Sequence, residues 1–144
     1  MTDEPFLLDS NILVYAFDSS EGSKYSVARA LVKDCWDGKI KYAVSLQNLS
    51  EFFVNITKKI KNPIAKERAS DFVKTMLGFK GLIKLEPRKE TVSRALDICI
   101  LADVSYWDAL IAATMLEHGI FHIYTEDTKG FSRIAGINAK NPFV

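Results

Sequence analysis

The chain has 144 residues, 48% of them hydrophobic, and a net charge of +1, which suits one compact domain spanning 1–144 and by itself argues for no polyanionic partner. Met1 to Pro5 are acidic and polar, and no stretch approaches the length of a membrane span, so a secretory leader and a membrane anchor are set aside and a cytoplasmic protein is expected. Cys35 and Cys99 lie far apart with no CxxC pair, which favours small buried hydrophobes over a disulfide or a thiolate metal site.

In chain order, "FLLD" reads as a short buried strand that stops on Asp9. "SNILVYAFD" then begins a helical turn with Ser10 or Asn11 available as its cap. "SKYSVARALVKDCWDG" carries Val27, Leu31 and Cys35 at four-residue spacing and ends on Gly38, an amphipathic helix with a stop signal. "IKYAVSL" alternates like a strand. Ser45 is placed to cap the next helix, through about Lys61, with an apolar stripe of Leu46, Leu49, Phe53, Ile56 and Ile60.

Asn62 as cap and Pro63 at the first helical position open a further predicted helix that closes on Gly78. "LIKLEP" is the next strand. Helical patterns follow from about Lys89 to Ala102 and from Tyr106 to His118, where Gly119 stops the second before the strand "FHIYTED". "GINAKNPF" supplies a last edge strand, because Pro142 forbids continuation into a sheet interior.

Strands separated by helices imply an α/β fold: a three-layer α/β/α sandwich around a mainly parallel sheet of four or five strands, since parallel neighbours need crossover connections. Such folds bind ligands beyond the carboxyl ends of their strands. Asp9 and Asp127 each follow a predicted strand and fall on the same edge if those strands run parallel. A carboxylate there is costly when buried alone and useful when it binds a divalent cation.

Other residues admit two readings. Asp108 lies in the first turn of its helix, and Ser105 three residues earlier makes the pair equally a local capping box. Glu51 projects opposite the apolar stripe, beside Gln47, Asn55 and Lys58, where periodicity leaves it a surface acid. Glu126 and the pairs Asp34 with Asp37 and Asp97 with Asp103 read as solvated acids. His118 and His122 are four apart, but Gly119 should end the helix between them, leaving a cap and a strand residue instead of a metal pair. Trp36, Phe52, Phe53, Phe72 and Phe79 fit core packing or a subunit interface. Tyr106 and Trp107, flanking Asp108, are the better placed aromatics for substrate contact.

Charge is uneven along the chain. Residues 1–57 carry net −3, 58–94 net +7, and 95–144 net −3. The basic segment is either a solvated pair of lysine-rich helices or a grip on phosphates, with Lys58, Lys59 and Lys61 at its leading end.

Taken together, "LLDSNILVY", "LSEFF", "SYWDALIAATMLEHG" and "YTEDTKGF" occur in the order and spacing of one family. The chain resembles a PIN-domain ribonuclease, and among these the VapC-type toxins of prokaryotic toxin–antitoxin pairs, over essentially its whole length. The resemblance implies an acidic site of Asp9, Glu51, Asp108 and Asp127. Asp9, Asp108 and Asp127 would hold the metal, with Asn11 and Thr125 as polar supports. It further implies Mg²⁺ or Mn²⁺, hydrolysis of RNA phosphodiester bonds to a 5′-phosphate and a 3′-hydroxyl, a homodimer, and a small antitoxin that blocks the cleft. The residue types agree, since hard cations prefer oxygen ligands.

Two readings compete with a nuclease. An aspartyl-phosphate phosphohydrolase also begins with a strand ending in Asp but needs a second acid two residues on, where this chain has Asn11. A non-catalytic RNA-binding or partner-binding domain of the same fold would tolerate losing the acids that this chain retains.

Overall fold

The computed structural model describes residues 4–144. Its elements are β1 (Phe6–Leu8), α1 (Ser10–Tyr15), a 3₁₀ turn (Ser19–Glu21), α2 (Ser23–Trp36), β2 (Tyr42–Ser45), α3 (Leu46–Lys58) and α4 (Lys66–Gly78). There follow β3 (Leu82–Leu85), α5 (Lys89–Ala102), α6 (Tyr106–Glu117), β4 (His122–Tyr124), α7 (Thr128–Ser132) and β5 (Asn138–Lys140). The five strands form one parallel sheet in the order β3-β2-β1-β4-β5.

Alternation along the strands divides the core. Leu8, Tyr42 and Val44 join a buried cluster with Ile12, Leu49, Phe52, Ile56 and Ala69 from α1, α3 and α4. Leu7, Ala43 and Ile123 join a second cluster with Ile111, Ala112, Met115 and Phe131 from α6 and α7. Ala95 of α5 meets Ala109 and Ala113 of α6, small residues that let the two helices lie close. The sheet is therefore covered on both faces. That is why β2 is buried at all four positions instead of alternating with solvent.

Several sequence expectations are corrected. Asp9, not Ser10 or Asn11, caps α1. The helix opened by Ser45 ends at Lys58, and its buried face holds Asn48 and Phe52, which the apolar stripe omitted. The following helix starts at Lys66 instead of Pro63. There the Ile64 N–H donates back to the Ile56 carbonyl at 2.8 Å, and Ala65 is extended (φ −57°, ψ 141°), so the proline leads a linking segment. The helix bounds at Lys89, Ala102 and Tyr106 match, and Gly119 sits at φ 68° as the stop after α6.

The strand order places β1 at the centre. One half of the chain winds outward through β2 and β3, and the other returns through β4 and β5 on the opposite side of β1. The crevice this reversal opens lies beyond the carboxyl ends of β1 and β4, where doubly wound sheets hold ligands.

Candidate active site

Asp9 follows β1 directly, and Thr125 and Asp127 follow β4, so parallel pairing of these strands brings all three to one edge. The Asp9 N–H donates to the Tyr124 carbonyl at 3.1 Å, extending that ladder by one bond into the site. Thr125 is fully buried. Its hydroxyl donates to Asp9 Oδ2 at 2.7 Å and accepts from the Asp127 N–H at 3.0 Å. Asp9 Oδ1 accepts from the Ser10 N–H at 2.8 Å and faces the Asn48 side-chain amide at 3.4 Å.

Asp108 enters from the N-terminus of α6. Ser105 caps this helix by accepting from the Asp108 N–H at 3.1 Å, which is half of the predicted capping box. The Asp108 carboxyl is instead within hydrogen-bonding reach of the Asp127 carboxyl. Burial first, then that contact and the charges of Asp127 and Asp9, push the Asp108 pKa up to about 7, against the opposing influence of Ser105. Carboxyls that share a poorly solvated place resist ionising together, which is the direction of this rise.

Asp9 is also raised from the ordinary carboxylate value, chiefly by burial and further by the Asp127 charge, while Thr125 and Ser10 oppose the rise. Glu51 is raised by burial and by the charge of Asp9, with Gln47, Ser10 and Lys59 opposing. Glu51 is thus half-buried and electrostatically joined to Asp9, and the surface-acid reading is corrected. Ser10, the first residue of α1, is among the groups that act on it, and α1 packs on α3.

Among the described residues, no three His, Cys, Asp or Glu side chains converge closely enough to hold an ion as they stand. The acids still feel one another: Asp127 and Asp9 both raise Asp108, Asp127 raises Asp9, and Asp9 raises Glu51. Three observations nevertheless fit a hard cation. Asn11 Oδ1, Gln47 Oε1 and Glu51 Oε1 are buried acceptors that receive no hydrogen bond. Neither Asp9 nor Asp108 forms a salt bridge with a basic side chain among the described residues. Gly130 leaves open the space beside Asp127, since a Cβ there would lie 2.9 Å from Oδ2, while the Gly130 N–H donates to Oδ1 at 3.2 Å.

The remaining sequence candidates are placed as follows. Lys59 and Lys61 line a groove of about 270 Å³ with Asn11, Asn55 and the acids Asp18 and Glu21, running from the Asn11 side of the site along α3. Lys58 is exposed in the last turn of α3 and does not line it. Trp107 is 60% exposed at the start of α6, with its carbonyl accepting from Gln47 Nε2 at 3.4 Å. Glu126 is not a free solvated acid: it accepts from the Tyr15 hydroxyl and pairs with Lys24, both at 2.6 Å. His118 caps α6, and His122 lies in β4 against Glu4, so the two form no metal pair. Cys35 and Cys99 are free thiols.

Sequence reasoning overlooked Asn48 and the orphaned acceptor of Gln47. The available signal for Asn48 was its place three residues after Ser45, where a capping box puts a polar side chain.

A central five-stranded parallel sheet flanked by helices, with acids gathered at its switch point, defines the class of α/β domain that the sequence resemblance implied. The PIN domain family model matches residues 6–137, and the chain belongs to the PIN domain family. No curated protein matches it in sequence.

The fold is similar to that of Mycobacterium tuberculosis VapC20, a sarcin-ricin loop cleaving toxin, with a TM-score of 0.70 and 14% identity over 92% of this chain and 98% of that one. It is also similar to a chain of a Klebsiella pneumoniae toxin–antitoxin complex, with a TM-score of 0.66 and 21% identity over 95% of this chain and 97% of that one. A third similar structure is Rickettsia felis VapBC2 bound to a DNA fragment from its promoter, at a TM-score of 0.63 and 20% identity over 94% and 97%.

Proposed function

We propose that this PIN domain is a divalent-metal-dependent endoribonuclease of the VapC type, a single cytoplasmic nuclease unit over 1–144. The observation that carries the reading is the link between Asp9 and Asp127 through the Thr125 hydroxyl at one sheet edge, beside an Asp108 pushed to about 7 by burial and by both of those acids. Carboxyls that oppose one another's ionisation and have no salt-bridge partner match a site that takes up a positive ion.

Asp9, Asp108 and Asp127 would hold Mg²⁺ or Mn²⁺, and the ion would supply Lewis acidity and neutralise charge on the phosphate. Thr125 holds Asp9 from one side and the Asp127 backbone from the other. Glu51, with one carboxylate oxygen buried and unpaired, would orient the attacking water and accept its proton. Asn11, with its own unpaired oxygen beside the groove that Lys59 and Lys61 line, supports the same region. Lys59 and Lys61 would meet backbone phosphates, with Lys58 contributing at longer range.

The partners follow in the same reading. On α5, Val92, Leu96 and Ile100 recur every four residues with Leu101 beside them, all exposed, Ile100 at 79% and Leu101 at 86%. This stripe supports a homodimer. An apolar groove of about 650 Å³ between α2 and α4, lined by Phe17, Val32, Trp36, Phe72 and Met76, suits a segment of a small antitoxin.

The test is cleavage of a mixed RNA substrate with Mg²⁺ or Mn²⁺ by the wild type, Asp9→Asn and Asp108→Asn. We expect activity that EDTA abolishes and a loss of at least ~100-fold in each variant, with folding intact by circular dichroism. Retained RNA binding without metal-dependent cleavage would favour a binding module instead.

A further inference from the structure

Asn48 is fully buried, at the third position of α3. Its N–H donates to Ser45 Oγ, and its own Oδ1 accepts from the Ser45 N–H, both at 3.0 Å. A glutamate or glutamine commonly fills this place and satisfies the cap. Asparagine brings a second functional end. Because Oδ1 is committed to the Ser45 N–H, Nδ2 must point the other way, and it faces Asp9 Oδ1 at 3.4 Å. Rotating the amide by 180° would set NH₂ against N–H and carbonyl against carboxylate, so the orientation is determined by its surroundings.

The Asp9 carboxylate is thereby held from both flanks of the central strand. Thr125, which follows β4, holds Oδ2, and Asn48, which follows β2, faces Oδ1 beside the Ser10 N–H. The contact from Asn48 is long, so its effect is on the plane of the carboxylate more than on its binding energy. We propose that Asn48 is a positioning residue for Asp9, presenting the free lone pairs of that carboxylate toward the mouth of the sheet. This rests on the reading of Asp9 as a metal ligand.

Ser45 provides the control. Ser45→Ala and Asn48→Ala each break one half of the same capping box, but only Asn48→Ala removes the donor from Asp9. The experiment is calorimetric titration of the full chain with MnCl₂ at fixed pH, beside thermal unfolding in EDTA, for wild type, Ser45→Ala, Asn48→Ala and Asp9→Asn. Both cap variants should unfold at a lower temperature. Mn²⁺ affinity should fall about tenfold in Asn48→Ala and stay within about twofold of wild type in Ser45→Ala. Equal losses in the two, or unchanged affinity in Asn48→Ala, overturn the proposal.

Loss of binding in Asp9→Asn with none in Asn48→Ala sinks this inference alone. Wild-type-like binding in Asp9→Asn sinks the reading of the site as well. Should Asn48→Ala not fold, the Asn48 side-chain amide of the wild type is followed by NMR during Mg²⁺ addition. We expect its resonances to shift in step with saturation, and unmoved resonances contradict the role.

Discussion

The Thr125 hydroxyl donates to Asp9 Oδ2 at 2.7 Å and at the same time accepts from the Asp127 N–H at 3.0 Å. One buried oxygen therefore ties the first strand's terminal acid to the backbone of an acid 118 residues later in the chain. Thr125→Val keeps the shape but strands both partners, which should cost about 1–3 kcal/mol in denaturant unfolding and abolish most cleavage. Thr125→Ser keeps the hydroxyl and should stay close to wild type. Equal behaviour of the two variants would mean that the hydroxyl is unimportant.

The raised carboxyls give the metal-free protein a characteristic pH dependence. In the unfolded chain an aspartate ionises near 4, whereas Asp108 in the folded protein holds its proton to about 7. Between those values the folded state binds more protons than the unfolded state, so this contribution to stability is full at low pH and is lost as pH rises toward 7. Asp9 and Glu51 act in the same direction. Glu126, held low by Lys24 and Tyr15 against the effect of burial, acts in the opposite one. The difference between wild type and Asp108→Asn isolates the site. In EDTA the variant should gain on the order of 5 °C in melting temperature by pH 8 and little at pH 4. Mg²⁺ should narrow the gap by favouring the ionised wild type. A gap independent of pH would refute the assignment.

These acids were legible in the sequence to different degrees. Asp9 and Asp127 follow from strand ends, because a parallel sheet carries its strand termini to one edge whatever the intervening helices do. Glu51 was illegible to periodicity. The stripe through Leu46, Leu49, Phe53 and Ile56 describes one face of α3 but cannot register α1, which arrives from forty residues earlier and covers part of the other. The role of Asp108 was open because Ser105 satisfies a helix cap in either case, and only the placement of its carboxyl against Asp127 separates the readings. Pro63 signalled a helix start that a long-range bond from Ile64 to Ile56 replaced with an extended link.

The lysines at the end of α3 make a prediction about salt. Lys58, Lys59 and Lys61 are exposed near the end of α3, and two of them line the groove beside Asn11. Changing all three to glutamate should weaken single-stranded RNA binding and make the slope of log affinity against log salt shallower by about 2, at roughly 0.7 for each phosphate contact. Binding measured by fluorescence anisotropy in Ca²⁺ would report this without cleavage. An unchanged slope would place the RNA elsewhere.

The most direct test of the shared acidic site is a crystal of the full chain soaked in Mn²⁺, with data collected for anomalous scattering. The account predicts a strong peak within ligand distance of the Asp9 and Asp108 carboxylates, with Asp127 turned toward it. A well-occupied peak elsewhere on the surface, with those carboxylates unmoved, would contradict it.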